Sequence, residues 1–293
     1  MANGNKTGFS ECRFLTDDHF EQVHATFVES FSDYIVPFAL TSEQFRNHIN
    51  LNAVDLERSV GCFDGERMVG FSITGFGDLH GKRTAYDAGT GVVPDKRGQG
   101  VSTEMFRMMF DSYTRAGIEQ FLLEVITSNT GAVNLYTRLG FEPQRELALL
   151  QSNEIGEPLD PPPGVTIEPM DDPIDWDRLS RFWDGEPSWQ NSIAAVIRNQ
   201  KLKRIIGAYM SGECVGYIVT SWDYGRMAQM AVDREHRGRG IGKALLDEAH
   251  AKATAGHPMQ IVNIDKSITS AMKFFERQGF SERLVQHEML RKM

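Results

Sequence analysis

Two short loops of this chain have the residue types and spacing to hold an anion. The first runs Val92-Val93-Pro94-Asp95-Lys96-Arg97-Gly98-Gln99-Gly100-Val101-Ser102. The second runs Val232-Asp233-Arg234-Glu235-His236-Arg237-Gly238-Arg239-Gly240-Ile241-Gly242. Closely spaced glycines let backbone N–H groups converge on one point, and a following helix adds its positive end. That suits a pyrophosphate. A lone Gly-x-Gly is often only a turn. Here each copy follows a β-like run and precedes an amphipathic helical pattern, and the arrangement occurs twice.

A second match lies downstream of each loop. Ala132-Val133-Asn134-Leu135-Tyr136-Thr137-Arg138-Leu139-Gly140-Phe141 aligns with Ala271-Met272-Lys273-Phe274-Phe275-Glu276-Arg277-Gln278-Gly279-Phe280. Two signals in the same order and nearly the same register mark an internal duplication. The halves differ where chemistry is expected: Asn263 stands opposite Glu124, Ile268 opposite Asn129 and Phe275 opposite Tyr136.

The elements that must position these residues read as mixed α and β. In the first half, helices are expected over 17–31 (capped by Asp17 or Asp18), 41–50, 101–116 and 131–139, with strands beginning at 12 and over 59–63, 68–76, 84–93, 120–127 and 145–151. In the second, helices are expected over 176–184, 192–199, 242–255 and 270–278, with strands over 204–210, 215–221, 227–232, 259–264 and 284–289. A Pro- and Gly-rich stretch, 152–164, breaks the periodicity and reads as a stiff linker. The expected division is a loose tail over 1–10, a domain over 11–151, the linker, and a domain over 165–293.

Length and composition agree with two globular domains. The chain has 293 residues, 41% hydrophobic and 24% charged. A net charge of −9 argues against nucleic acid as the main partner, because phosphate backbones need a basic face. No apolar run approaches membrane-spanning length, and no signal-peptide core precedes the first half. The three cysteines, Cys12, Cys62 and Cys214, lack metal-ligand spacing, so no metal site is expected; they read as buried, reduced thiols of a cytoplasmic protein.

On these motifs the chain resembles a tandem member of the Gcn5-related N-acetyltransferase (GNAT) superfamily. Arg237, Gly240 and Gly242 match its acyl-CoA loop fully; Arg97 and Gly100 match, while Ser102 replaces the last small residue. The resemblance implies an α/β fold of two domains, each a mixed, centrally splayed β-sheet flanked by helices, with acetyl-CoA in the gap. Cofactor contacts would come from Val92, Val93, Arg97, Gly98, Gln99, Gly100, Val101 and Ser102, and from Val232, Arg237, Gly238, Arg239, Gly240, Ile241 and Gly242, the arginines as phosphate contacts. Ser102 is expected to weaken binding in the first loop.

The segment Leu123-Glu124-Val125-Ile126-Thr127-Ser128-Asn129, with Leu135-Tyr136, is similar to ribosomal-protein N-terminal acetyltransferases, which implies Glu124 as general base, Tyr136 as general acid and Asn129 as a CoA-arm contact. The chemistry is reasonable in itself: a protonated amine must lose a proton before attack, and a departing thiolate must gain one. Asp87, on the strand before the first loop, is a rival base. The loop after the first helix, 31–38, supplies acceptor-side candidates, with Asp33 to hold an ammonium and Tyr34 and Phe38 as walls. Trp183, Trp189 and Trp222 read as lining a pocket, a domain interface or the core. The expectation is an acetyl-CoA-dependent N-acetyltransferase of a small-molecule or peptide amine, monomeric or homodimeric, with the first domain catalytic. A non-catalytic acyl-CoA-sensing module, or a mycothiol-synthase-like enzyme with the second domain active, are the alternatives.

Overall fold

A computed structural model describes residues 9–34, 39–152, 160–221, 225–252 and 258–293. The chain forms two compact units, one of residues 1–144 and 287–293, the other of residues 145–286. Most of the expected tail (1–8), linker residues 153–159, Phe38 and Trp222 lie outside the described residues.

In unit 1, β1 (Glu11–Phe14), β2 (Val60–Asp64), β3 (Arg67–Leu79), β4 (Lys82–Val92) and β5 (Gln120–Ile126) lie side by side in that order. The first four pair antiparallel; β4 and β5 pair parallel. On one face, α3 (Val101–Arg115) places Met105, Phe106, Met109 and Tyr113 against Phe121, Leu123 and Val125 of β5, with α4 (Thr130–Arg138) adding Tyr136. On the other, α1 (Phe20–Ser30) and α2 (Ser42–Leu51) bring Phe27 and Phe45 together, and Phe27 meets Phe71. Thr41 caps α2 by accepting from the Gln44 N–H. The expected cap of α1 by Asp17 or Asp18 does not form: both fall in a 3-10 turn ahead of the helix.

Unit 2 repeats the plan. Its strands run β7 (Val165–Pro169), β8 (Lys203–Met210), β9 (Glu213–Ser221), β10 (Arg226–Val232) and β11 (Met259–Asp265), followed by residues 145–152 of β6 (Glu142–Ser152). Helices α7 (Ile241–Ala251) and α8 (Thr269–Arg277) pack one face through Leu245, Leu246 and Phe275; α5 (Trp176–Ser180) and α6 (Ile193–Arg198) pack the other through Leu179 and Val196. Strand β7 has no counterpart in the sequence reading, and α5 stops well short of 184.

The units do not follow the expected boundary. Strand β6 belongs to unit 2 from Arg145 onward, where Leu147, Ala148 and Leu150 pair with Asp265, Ile264 and Ile261. The end of β12 (Ser281–Lys292) belongs to unit 1, where Met289 is fully buried in the α3 core and the Met293 N–H donates to the Glu119 carbonyl at 2.9 Å. A strand's sheet partner is set by long-range packing, which local patterning does not reveal.

The cysteine expectation also fails. Cys12 and Cys62 face each other in the β1–β2 register and their sulfurs are bonded. Fifty residues separate them in sequence, and only the strand register brings them together. Cys214 is free.

Candidate active site

Both anion loops have the expected backbone. Gly98 and Gly100 have φ of 72° and 85°, Gly238 and Gly240 75° and 88°. These are left-handed values that an L side chain rarely adopts, so conformation is what requires glycine here. Gly100 and Gly240 are the N-cap residues of α3 and α7, so the opening N–H groups of both helices face the loops. Val101 and Ile241, first in each helix, are buried and pin it to its sheet.

The strands diverge beside each loop. Strand β4 pairs with β5 only from Thr84↔Gln120 to Tyr86↔Leu122, and β10 with β11 only at Arg226↔Gln260 and Met227↔Ile261. In unit 2 the gap opens into a cavity of about 530 Å³, lined by Gly238, Gly240, Gly242, Met227, Ile261 and Phe275 among others. Trp183 also lines it, and Trp189 is buried. A glycine cradle, a helix N-terminus and a gap between strands fit a pyrophosphate-bearing thioester.

Gly242 has an ordinary φ and a different reason to be small. A Cβ there would lie 3.1 Å from the Met230 methyl and 3.4 Å from the Phe274 ring. The corresponding residues in unit 1 are Thr90 and Leu135, which are smaller, and Ser102 is accommodated. The side-chain contacts that restrict Gly242 therefore have smaller counterparts beside Ser102 in unit 1.

The two loop arginines are not placed as expected. Arg97 donates from Nε to the Val92 carbonyl (3.2 Å), from Nη2 to the Ser30 carbonyl (2.9 Å), and from both terminal nitrogens to Asp33 (2.7 Å each). A guanidinium has five N–H donors, so one remains for a phosphate. Arg237 repeats the pattern with the Val232 carbonyl (2.9 Å), the Phe182 carbonyl (2.7 Å) and Asp184 (2.7 Å). Gln99 and Arg239 likewise turn back onto the Asp95 and Glu235 carbonyls. Asp33, expected to hold an ammonium, is instead held by Arg97, which lowers its pKa.

In unit 1 a bulge in β4 shapes the gap beside the loop. Thr74 pairs with Asp87 and Ile73 with Gly89, leaving Ala88 extra. The Ala88 carbonyl, lost to the ladder, accepts from His48 Nε2 at 2.7 Å. Asp87 is buried, accepts from the Gly89 N–H (3.0 Å) and the Thr90 hydroxyl (2.9 Å), and lies close enough to Tyr136 for each to shift the other's titration. Burial pushes its pKa up to about 6, against the pull of those donors. Tyr136 is pushed well above an ordinary phenol, by burial first and the Asp87 charge second.

The remaining candidates sit nearby on other faces. Leu123 and Val125 face the core that holds Tyr136, so Glu124 leaves β5 on the opposite face, half-buried. Asn129 caps α4 by accepting from the Ala132 N–H at 3.2 Å, and its Nδ2 donates to the Tyr34 hydroxyl at 3.4 Å.

Unit 2 has uncharged side chains at the positions of Asp87, Thr90 and Tyr136. Met227 and Met230 replace Asp87 and Thr90, and buried Phe275 replaces Tyr136. Trp183 donates to the Tyr217 hydroxyl (2.6 Å), which donates to Gln229 (2.8 Å); Gln229 donates to the Asn191 carbonyl (2.6 Å), and the Asn191 amide to the Val262 carbonyl (2.6 Å). No member of this chain accepts a proton near neutral pH. Gln229 and Asn191 carried no motif signal.

Comparison with known proteins agrees with this geometry. Residues 20–141 match the model of the acetyltransferase (GNAT) family and residues 184–289 that of an acetyltransferase (GNAT) domain. N-alpha-acetyltransferase 30 of Schizosaccharomyces pombe is 32% identical over 87 residues, which span 29% of this chain and 57% of that protein's length. Among solved structures, a tandem GNAT protein from the clavulanic acid biosynthesis pathway superposes with a TM-score of 0.74 at 13% identity, covering 96% of this chain and 98% of that one. A GCN5-related N-acetyltransferase from Sphaerobacter thermophilus gives 0.72 at 17% identity, covering 96% and 95%. At such identities the structures speak for the fold alone. The chain belongs to the GNAT acetyltransferase family, whose members transfer acyl groups from acyl-CoA, and carries two of its domains.

Proposed function

We propose that the protein is an acetyl-CoA-dependent N-acetyltransferase in which unit 1 acetylates a primary amine, and unit 2 binds the same cofactor without transferring its acyl group. The observation that carries this reading is the buried Asp87–Tyr136 pair in unit 1, against Met227 and Phe275 in unit 2. The peptide α-amine is the favoured acceptor, because the curated relative is named as an N-alpha-acetyltransferase; a small-molecule amine is the alternative.

The bound cofactor supplies an activated acetyl thioester. In unit 1, the backbone of Gly98 to Ser102 would hold its pyrophosphate and the edge of β4 its arm. Asp87, with a pKa near 6, accepts a proton from the incoming ammonium above that pH. Tyr136 gives its proton to the departing thiolate. The two steps assist each other: once Asp87 is protonated, the charge that holds the Tyr136 proton in place is gone. Glu124, on the opposite face, is the second carboxylate able to meet an amine. Asp87→Asn, assayed with pooled peptides and small amines carrying free amino groups, is expected to lower transfer by about 10²–10⁴. An unchanged rate would return the base to Glu124.

A further inference from the structure

The arginine of each cradle has the same three anchors in two units that share little else at their reacting ends. Arg97 joins the end of β4 (Val92), the last carbonyl of α1 (Ser30) and Asp33. Arg237 joins the end of β10 (Val232), the carbonyl of Phe182 and Asp184. Unit 2 has lost the proton-handling side chains and kept this anchor, so the anchor does not serve proton transfer. A guanidinium forked onto a carboxylate is also directional in a way an ammonium is not.

In unit 1 the anchor leads somewhere. Asp33 is followed by Tyr34, whose ring packs edge-on against Phe31 at 5.0 Å. The Tyr34 hydroxyl meets the side chain of Asn129, and Tyr34 is near enough to Tyr136 to affect its titration. A continuous path of contacts therefore runs from the cradle loop through Arg97, Asp33 and Tyr34 to the N-terminus of α4. The loop backbone that would close on a phosphate is the same backbone that carries Arg97.

We propose that the Asp33–Arg97 pair is a positioning latch, which passes occupancy of the glycine cradle to the Tyr34 segment and so sets the acceptor side of unit 1 when the cofactor binds. The latch rests on the acyl-CoA reading of the cradle. It assigns both residues a role different from direct contact: Arg97 is not the main phosphate ligand, and Asp33 is not the ammonium ligand. The two residues must then behave as a unit.

The test is hydrogen exchange read by mass spectrometry on the full chain, with and without acetyl-CoA, for wild type, Asp33→Asn, Arg97→Lys, the double variant and the charge swap Asp33→Arg/Arg97→Asp. Acetyl-CoA is expected to slow exchange over residues 30–34 in the wild type. Each single variant should lose roughly tenfold of that protection, the size of an ordinary coupling between sites. The double variant should lose no more than either single one, because only one interaction is being removed. The charge swap should recover part of it, which distinguishes a lost pair from a misfolded loop. With an active acceptor, both single variants should raise its KM more than they lower kcat. Full protection in Asp33→Asn would overturn the latch, as would loss of acetyl-CoA affinity confined to Arg97→Lys, which would make Arg97 a direct phosphate ligand. If the wild type bound no acetyl-CoA, the cradle reading itself would fail, a result separate from binding without protection.

Discussion

Tyr136 and Asp87 are both buried in unit 1, one on the helix after β5 and the other beside the bulge of β4, close enough for each to shift the other's titration. Two buried groups that shift each other's titration share one electrostatic account, so changing either should change the behaviour of both. Tyr136→Phe and Asp87→Asn should each slow acetyl transfer by about 10²–10⁴, with the double variant little worse than the slower single one. Glu124→Gln should cost less than either. Turnover of the three variants at saturating acetyl-CoA checks the ranking, and a larger loss in Glu124→Gln would move the base to β5.

The same pair sets a pH dependence. Asp87 is expected to work as a base only when ionised, and burial places its pKa at about 6. The rate kcat/KM should therefore rise through pH 6 and level off above it. A flat profile between pH 5 and 8 in the wild type would remove Asp87 from the chemistry.

Stability should move the other way. The folded carboxyl holds its proton up to about pH 6, against an ordinary value of 3.8 in the unfolded chain, so between those values the native state binds more protons than the unfolded one. The cost of a buried charge is absent below the lower value, grows as pH rises and is complete above about 6. The net shift, with the pull of the Gly89 and Thr90 donors already included, corresponds to about 3 kcal/mol. Asp87→Asn should thus raise Tm at pH 8 while slowing transfer by about 10²–10⁴, and bring little gain at pH 4. A lower Tm at pH 8 would mean the hydrogen bonds outweigh the buried charge.

Met289 is far in sequence from residues 1–144 of unit 1 and fully buried among them. Met289→Ala should cost about 2–5 kcal/mol and speed exchange in β5, whose Phe121 and Leu123 share its cluster. Loosening confined to unit 2 would contradict the assignment of residues 287–293.

Gly242 makes a narrower prediction. Gly242→Ser should weaken unit 2's cofactor binding and cost about 1–3 kcal/mol through overpacking against Met230 and Phe274. Adding Met230→Thr, which copies Thr90 of unit 1, should restore most of both. Thermal melts with and without acetyl-CoA decide it; no rescue would mean that the serine hydroxyl, rather than its bulk, is at fault.

These particulars show what local sequence carries. The cradles were legible because Gly98, Gly100, Gly238 and Gly240 act through their own backbone torsions, and α3 and α7 because their apolar spacing is regular. The bulge that turns Asp87 toward Tyr136 was not legible, since it depends on how β3 and β4 pair. Nor were the arginine anchors: Ser30 and Asp33 meet Arg97 only after α1 packs on the sheet. The Cys12–Cys62 bond and the late strands that complete each unit are register facts of the same kind. Tyr136 and Glu124 are candidates through the family resemblance, which does not show that they face opposite sides of β5.

The account stands on unit 1 transferring and unit 2 only binding. The most direct test is release of CoA thiol in the presence of pooled free-amine peptides, compared between Tyr136→Phe and Gly240→Asp, the second placing a carboxylate and a strained backbone in the unit 2 cradle. The account predicts that Tyr136→Phe loses about 10² or more of the acceptor-dependent rate, while Gly240→Asp keeps it. A full rate in Tyr136→Phe with loss in Gly240→Asp would contradict it and make unit 2 the active one.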